Sequence, residues 1–294
     1  MMSLSLNNCL AAAALALALV SASTATAHAQ DATAWIQELH AAARLIAGAA
    51  ATDAGSKSLR AGVEVQLDPG WKTYWRDPGD SGTPPTFDFA ESTNVKSVSM
   101  EWPAPMRFDD GAGGHSIGYH DHVIWPLRVT PKDASKPASL HVKLHYAVCG
   151  KLCVPAEADL GLSLSGKRGT EDGTLAAAEA RVPRHAALAP TSDAGGVLAV
   201  RSVHRELDEG RQRVIVEVAA PAGAPVELFA EGPTPEWALP LPEADKPTIA
   251  GPISLRRFIF ALDGLPPNAQ AEGTTLTLTA VSPTDAVEVK ARLD

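Results

Sequence analysis

The stretch Ser58-Leu59-Arg60-Ala61-Gly62-Val63-Glu64-Val65-Gln66-Leu67-Asp68-Pro69-Gly70 decides the fold class. Leu59, Ala61, Val63, Val65 and Leu67 point one way in an extended chain, while Arg60, Gly62, Glu64 and Gln66 point the other, because strand side chains alternate with a period of two. One apolar face beside one polar face is the pattern of a half-buried strand. Asp68-Pro69-Gly70 is the turn that ends it. Trp71 to Trp75 then reads as a second, aromatic strand, halted by Asp77-Pro78-Gly79. Further strands are expected at Val95 to Glu101, His122 to Val129, Leu140 to Val148 and Ala158 to Leu164, with a Gly-, Asp- and His-rich loop from Phe108 to His122.

Upstream, residues 31–51 read two ways. Trp35-Ile36 with Leu39 and the Ala-rich run have helical propensity, whereas Arg44-Leu45-Ile46 before Gly48 opens a strand. Downstream, residues 166–195 are charged and Ala-rich and then broken by Pro183, Pro190 and Gly195-Gly196, the pattern of a short helix plus linker. A second series of short strands follows at Val197 to His204, Arg213 to Ala219, Val226 to Ala230, Ser254 to Leu262, Thr274 to Val281 and Ala286 to Leu293. The expectation is an all-β chain, a β-sandwich followed by a second, smaller β-sandwich-like domain over 196–294.

Composition narrows the function. Of 294 residues 45% are hydrophobic and 20% charged, with a formal charge of -9. That is too apolar for a disordered chain and lacks the basic balance of a nucleic-acid binder. Leu10 to Val20 is an unbroken run of Ala, Leu and Val, too short for the roughly 20 residues that span a bilayer but suited to an export signal. Ala27-His28-Ala29 is a small-x-small cleavage pattern, so residues 1–29 read as a signal peptide and Gln30 as the mature start. No Lys or Arg precedes Arg44, and Cys9 lies before the apolar run, not after it as a lipid-anchored cysteine would. No other stretch approaches transmembrane length. The mature product is expected to be soluble, exported and periplasmic.

Two cysteines then remain, Cys149 and Cys153, in a compartment where thiols oxidise readily. On a straight strand their Cα atoms would stand about 13 Å apart, beyond the roughly 7 Å limit for a bridge. If they bond, the chain reverses between them, and Gly150 is placed to allow it. Three roles fit the pair. A structural staple closing so small a loop would stabilise the fold by only about 2 kcal/mol. A redox pair fits the lability of tight, exposed disulfides. Metal binding would combine two thiolates with imidazole to suit Cu(I), with His141 and His145 upstream and His115, His120 and His122 earlier, although these spacings match no strong ligand pattern. Gly111-Ala112-Gly113-Gly114 lacks the Lys-Ser/Thr of a phosphate loop, Asp109 and Asp110 read as solvated loop charges, and no G-x-S-x-G or H-E-x-x-H occurs.

Several segments together carry a family resemblance. They are Gly70-Trp71-Lys72-Thr73-Tyr74-Trp75-Arg76-Asp77-Pro78-Gly79-Asp80-Ser81-Gly82, Trp102-Pro103-Ala104-Pro105, Gly118-Tyr119, and Tyr146-Ala147-Val148-Cys149 with Cys153-Val154-Pro155. They resemble the periplasmic N-terminal domain of the DsbD/ScsB thiol:disulfide interchange proteins. The resemblance implies an immunoglobulin-like β-sandwich over 42–166, preceded by an N-terminal segment 30–41 and followed by the helix and linker 167–195. It tips 42–50 towards a first strand. It also implies that Cys149 and Cys153 form the catalytic disulfide, with neither cofactor nor metal. The segment Phe108 to Tyr119 would be a cap, and Phe108, Tyr119, Tyr146 and Pro155 are the candidate cap or docking residues. The implied partners are a membrane-embedded thiol electron donor and a periplasmic thioredoxin-fold acceptor, in a family tied to cytochrome c biogenesis. The family's larger members continue into a transmembrane and a thioredoxin-like domain not found in this sequence, so the donor is expected to be a separate polypeptide. DsbD itself spaces its cysteines more widely. The competing reading is a non-catalytic periplasmic β-sandwich that handles copper and uses the disulfide structurally.

Overall fold

The stretch from Ser58 lies within β4, the centre of the first sheet. In chain order the first half contains β1 (Ile36–Glu38), β2 (Ala41–Ala47), β3 (Ala51–Asp53), β4 (Ser56–Leu67), β5 (Lys72–Gly79), β6 (Thr86–Asp88), β7 (Val95–Met100), β8 (Met106–Asp109), β9 (His115–His120), β10 (His122–Pro131), β11 (Ala138–Cys149) and β12 (Cys153–Leu164). The computed structural model describes residues 31–53, 56–111, 113–189, 198–245, 248–250 and 253–294. The expected signal peptide 1–29, its Cys9 and cleavage pattern, the mature start at Gln30, and the Pro190 to Gly196 part of the linker lie outside the described residues.

One sheet is ordered β1-β2-β4-β10-β7, with β3 on β4, and the other β12-β11-β5-β9-β8, with β6 on β11. The two close over one core. Val63, Val65, Leu45, Leu127 and Trp125 enter it from the first sheet, and Trp75, Leu140, Leu144 and Leu160 from the second. This is the all-β sandwich expected from the alternation, with the immunoglobulin-like fold that the resemblance implies. Residues 41–47 are a strand despite their alanines. Leu45 pairs with Val63 and Ala43 with Val65, and Ala41, Ala43, Leu45 and Ala47 all reach the core. Sheet pairing there outweighs helical propensity.

The expected loop from Phe108 to His122 is a hairpin. β8 pairs with β9, Phe108 opposite Ser116 and Met106 opposite Gly118, and only the glycine-rich centre turns. After β12 comes α1 (Asp172–Glu179), then β13 (Arg184–Ala186), β14 (Ala199–Asp208), β15 (Arg211–Pro221), β16 (Glu227–Glu231), β17 (Glu243–Ala244), β18 (Thr248–Ala250), β19 (Ile253–Ala261), β20 (Thr275–Val281) and β21 (Ala286–Arg292). These strands form sheets β13-β21-β20-β16 and β14-β15-β19-β17, with β18 on β19. A separate core of Val214, Val216, Leu228, Phe258, Leu276 and Leu278 lies between them. Arg184–Ala186, within the segment read as linker, runs parallel to β21 and joins the second sandwich.

Helix α1 covers the polar face of the first sheet. Leu175 and Ala178 bury against Ile46 and Ile124, and Arg60, which alternation put outside, finds its partners on the helix. Arg60 donates to both Glu179 oxygens at 2.8 and 2.6 Å and to Asp172 Oδ1 at 2.7 Å. Asp172 Oδ1 also accepts the Ala49 N–H at 2.7 Å. That backbone bond, then the Arg60 and Arg168 charges, hold the Asp172 carboxyl below its ordinary value of 3.8 despite burial. A lowered folded-state value means stability that is present above the unfolded value and lost as pH falls through the folded one. Asp172→Ala is therefore expected to lower unfolding free energy by about 2 kcal/mol at neutral pH. Urea titrations should show the gap from wild type narrowing as pH drops below 3.8.

Candidate functional site

β11 and β12 pair from Ala138 with Leu164 to Cys149 with Cys153. The chain reverses through Gly150-Lys151-Leu152, where the Gly150 N–H donates to Leu152 O at 3.0 Å. The reversal brings the two cysteine Cα atoms to 4.1 Å, with the sulfurs bonded. Gly150 serves by close approach more than by an unusual backbone angle, since a Cβ there would stand 3.0 Å from the Trp71 indole. β12 is the outer strand of its sheet, so the pair occupies a sheet edge. The two cysteines differ in access: Cys149 is 1% exposed, Cys153 is exposed, and Leu152 at the hairpin tip is 75% exposed.

What buries Cys149 comes from β5. Cys149 is opposite Lys72, and Tyr74, two residues on, shares their outward face. The Tyr74 hydroxyl donates to Cys149 Sγ at 2.9 Å and lies 3.5 Å from Cys153 Sγ. Gly82 lies on the tyrosine ring. A Cβ at Gly82 would fall 2.2 Å from Tyr74 Cε1, and its φ of +121° is one that only glycine adopts freely. The Gly82 segment is tied to the β8–β9 turn: the Asp80 N–H donates to His115 O and the His115 N–H to Asp80 Oδ2, both at 2.9 Å. In that turn Asp110 Oδ1 accepts the Gly114 N–H at 2.9 Å, so Asp110 is more than a solvated charge. Burial, and then the negative charge of Asp110, hold the Tyr74 phenol above its ordinary range. It stays a hydroxyl, able to donate to sulfur.

The expected site residues separate by face. Pro155 is exposed on β12, two residues from Cys153 and on the same side. Phe108 lies on the far strand of that sheet, its ring beneath the Lys72 ammonium at 5.4 Å and beside His120 at 5.9 Å. Lys72 Nζ donates to Ser116 Oγ at 2.7 Å. Tyr119 and Tyr146 belong to the core, which corrects their assignment to a cap or docking surface. Each is an odd number of residues from an outward-facing neighbour, Gly118 or Cys149, so the pleat turns it inward. The Tyr119 hydroxyl donates to Pro103 O at 2.9 Å, and burial pushes the Tyr146 phenol up to about 12.

Four of the five histidines weighed as copper ligands pair with carboxylates: His141 with Asp159 at 2.7 Å, His145 with Glu157 at 3.3 Å, His122 with Glu64 at 2.7 Å, and His120 with Asp121. Among the described residues no group of three or more His, Cys, Asp or Glu is placed to hold a metal ion. Sequence reasoning missed Tyr74. It lies inside the quoted Gly70 to Gly82 run, but only the register of β5 against β11 places it on the sulfurs.

The site is thus a disulfide at the hairpin end of an antiparallel β-sandwich, one sulfur covered and hydrogen-bonded to a phenol and the other open. Residues 42–164 match the family described as thiol:disulfide interchange protein DsbD, N-terminal, and this segment belongs to that family. The crystal structure of the N-terminal periplasmic domain of ScsB from Proteus mirabilis is similar at TM-score 0.65 and 23% identity, covering 90% of this chain and 98% of that one. The likeness in fold therefore runs beyond residue 164 into the second sandwich. The conserved domain protein from Bacillus anthracis aligns over 84% of this chain and 75% of its own at 11% identity, with a TM-score of 0.21. No curated protein matches the chain. Among the described residues no helix is long and apolar enough to cross a membrane.

Proposed function

We propose that this chain is a periplasmic electron relay, in which Cys149 and Cys153 take two electrons from a membrane-embedded thiol donor and pass them to an oxidised thioredoxin-fold protein. The observation that carries the reading is the asymmetry of the pair, an open Cys153 beside a Cys149 held under the Tyr74 hydroxyl. A donor thiolate attacks Cys153 Sγ, the only one of the two that is exposed. The Cys149–Cys153 bond breaks, and Cys149 leaves as a thiolate that accepts the Tyr74 hydrogen bond. The donor's second thiolate then attacks its own sulfur in the mixed disulfide. Cys153 is released, the donor keeps a disulfide, and the domain holds two electrons and takes up two protons. In the onward step the Cys153 thiolate attacks the acceptor's disulfide. Cys149 then displaces the acceptor as a dithiol and re-forms the original bond.

The test is the reduction potential of the pair, measured by equilibrating the chain in dithiol or glutathione buffers and counting alkylated thiols by mass. A value between about -270 and -120 mV, the range of known exchange proteins, is expected. A value below roughly -300 mV would mark a structural disulfide and overturn the relay. Tyr74→Phe tests the assignment of the donor. Hydrogen bonds to charged groups contribute about 1.5–3 kcal/mol, so reduction of the disulfide by a small dithiol should slow by about tenfold or more. An unchanged rate would remove Tyr74 from the mechanism.

A further inference from the structure

The second sandwich shows no chemistry in its sequence, yet two of its carboxylates reach into β5. Arg76 Nε donates to Glu231 Oε1 at 2.8 Å, and its Nη2 donates to Glu231 Oε2 and Glu288 Oε2, both at 2.6 Å. Glu231 ends β16 and Glu288 lies in β21. Phe229, also in β16, packs on Trp75 with ring centroids 5.8 Å apart, and it counts among the core residues of the first sandwich. The Arg76 guanidinium stacks on the Trp75 ring at 4.3 Å. The remaining Glu288 oxygen faces His185 Nδ1 at 3.2 Å.

The place where these contacts fall gives them meaning. β5 pairs with β9 through Tyr74 opposite Gly118, loses register, and returns with Gly79 opposite Ser116. Residues 75–78 are thus a bulge facing a single partner residue, Ile117. A bulge is not fixed by a regular ladder of hydrogen bonds. Here the Arg76 side chain is held by the other sandwich, and Trp75, a residue of the first core, also packs on its Phe229. Tyr74, which touches both sulfurs, lies just before the bulge, and Gly82, which lies on the Tyr74 ring, follows just after it. Whatever holds Trp75 and Arg76 therefore holds the tyrosine and its cover together.

The structure assigns to Glu231 and Glu288 the part of positioning residues, which act through Arg76 to keep the Tyr74 hydroxyl on Cys149 Sγ. On this inference the second sandwich is a clamp on the redox site as well as a neighbour of it. The inference rests on the reading of Tyr74 as donor to the leaving Cys149 thiolate. Attack occurs at the already open Cys153, so loosening the clamp weakens the departure of Cys149 without improving access.

The test is a double-mutant cycle on the full chain, with reduction by dithiothreitol as the rate and the pH profile of Cys149 alkylation in the reduced protein as the second readout. Glu231→Gln with Glu288→Gln is expected to slow reduction about fivefold, the scale of a modest coupling, and to move the Cys149 profile to higher pH. In a Tyr74→Phe background the same pair should add nothing. Glutamine variants that match wild type in both readouts, while Tyr74→Phe slows reduction, overturn the clamp and leave the relay standing. A slowing that persists undiminished in the Tyr74→Phe background also overturns it, because the effect would not pass through the tyrosine. If Tyr74→Phe itself changes nothing, the reading beneath the clamp fails instead. Should the double variant not fold, Glu231→Gln and Glu288→Gln taken singly each leave Arg76 one carboxylate. They are expected to shift both readouts in the same direction, and wild-type behaviour in both would be fatal to the clamp.

Discussion

Serine at Cys149 is expected to leave a protein that captures a partner thiol and keeps it. Cys153 stays exposed, so it attacks glutathione disulfide, releases one glutathione thiolate and holds the other as a mixed disulfide. With Cys149 gone, no second sulfur stands within reach to displace the partner. Serine at Cys153 should do the opposite. The remaining Cys149 is 1% exposed and lies beneath Tyr74, so adduct formation and alkylation should both be slow and should speed up in denaturant. Both variants lose turnover completely, the largest activity effect the structure predicts. Their folds should persist. The disulfide closes a loop of five residues from 149 to 153, which the chain-entropy model rates at about 2 kcal/mol, and the sandwich core is built independently of it. Intact-mass analysis after mixing, together with thermal melts, reads both consequences. An adduct on Cys153→Ser and none on Cys149→Ser would reverse the order of attack. Collapse of both folds would return the disulfide to a staple.

Much of the fold was legible because alternation is a local signal. The long strands β4, β11, β20 and β21 fall where apolar and polar residues alternate between turn residues, and β10, β15 and β19 where short apolar runs lie between them. The strands that escaped are short ones of two or three residues, such as β1, β6 and β17, or ones hidden by composition. β9 is the instructive case. His115 to His120 reads as loop from its glycine and histidines, yet Ile117 and Tyr119 alternate into the core while Gly118 lies against β5. The cysteine pair was legible as two residues four apart, a spacing that requires the chain to reverse if they bond, and the β11–β12 hairpin supplies that reversal. Tyr74 was not, because its approach to the sulfurs depends on a register between strands that are 75 residues apart in sequence. The same limit explains Tyr119 and Tyr146. Their nearness to site residues in sequence suggested a cap, whereas the pleat places them on the opposite side of the sheet.

Alanine at Gly118 is expected to damage stability more than any other single-methyl addition near the site. Gly118 lies between β5 and β8, opposite both Tyr74 and Met106. A Cβ there would stand 2.0 Å from the Thr73 carbonyl oxygen and 2.8 Å from Tyr74 Cα. Those are backbone atoms, so no side chain can rotate out of the way, and β5 must move off β9. Overpacking a core costs about 1–3 kcal/mol when side chains can adjust. With backbone as the obstacle the cost should reach about 3 kcal/mol or more, roughly a 10 °C loss in Tm. Gly111→Ala is the control. It has a φ of +77° and nothing within 4 Å, so it carries only the left-handed backbone penalty of about 1 kcal/mol. A comparison of the two separates steric closeness from backbone conformation. Displacement of β5 also carries Tyr74 away from Cys149, so folded Gly118→Ala should react with dithiothreitol at the slowed rate of Tyr74→Phe. A variant that melts like wild type would show that the two strands have room the structure denies them. One that loses stability but keeps the wild-type rate would show that Tyr74 is held by something other than the β5–β9 pairing.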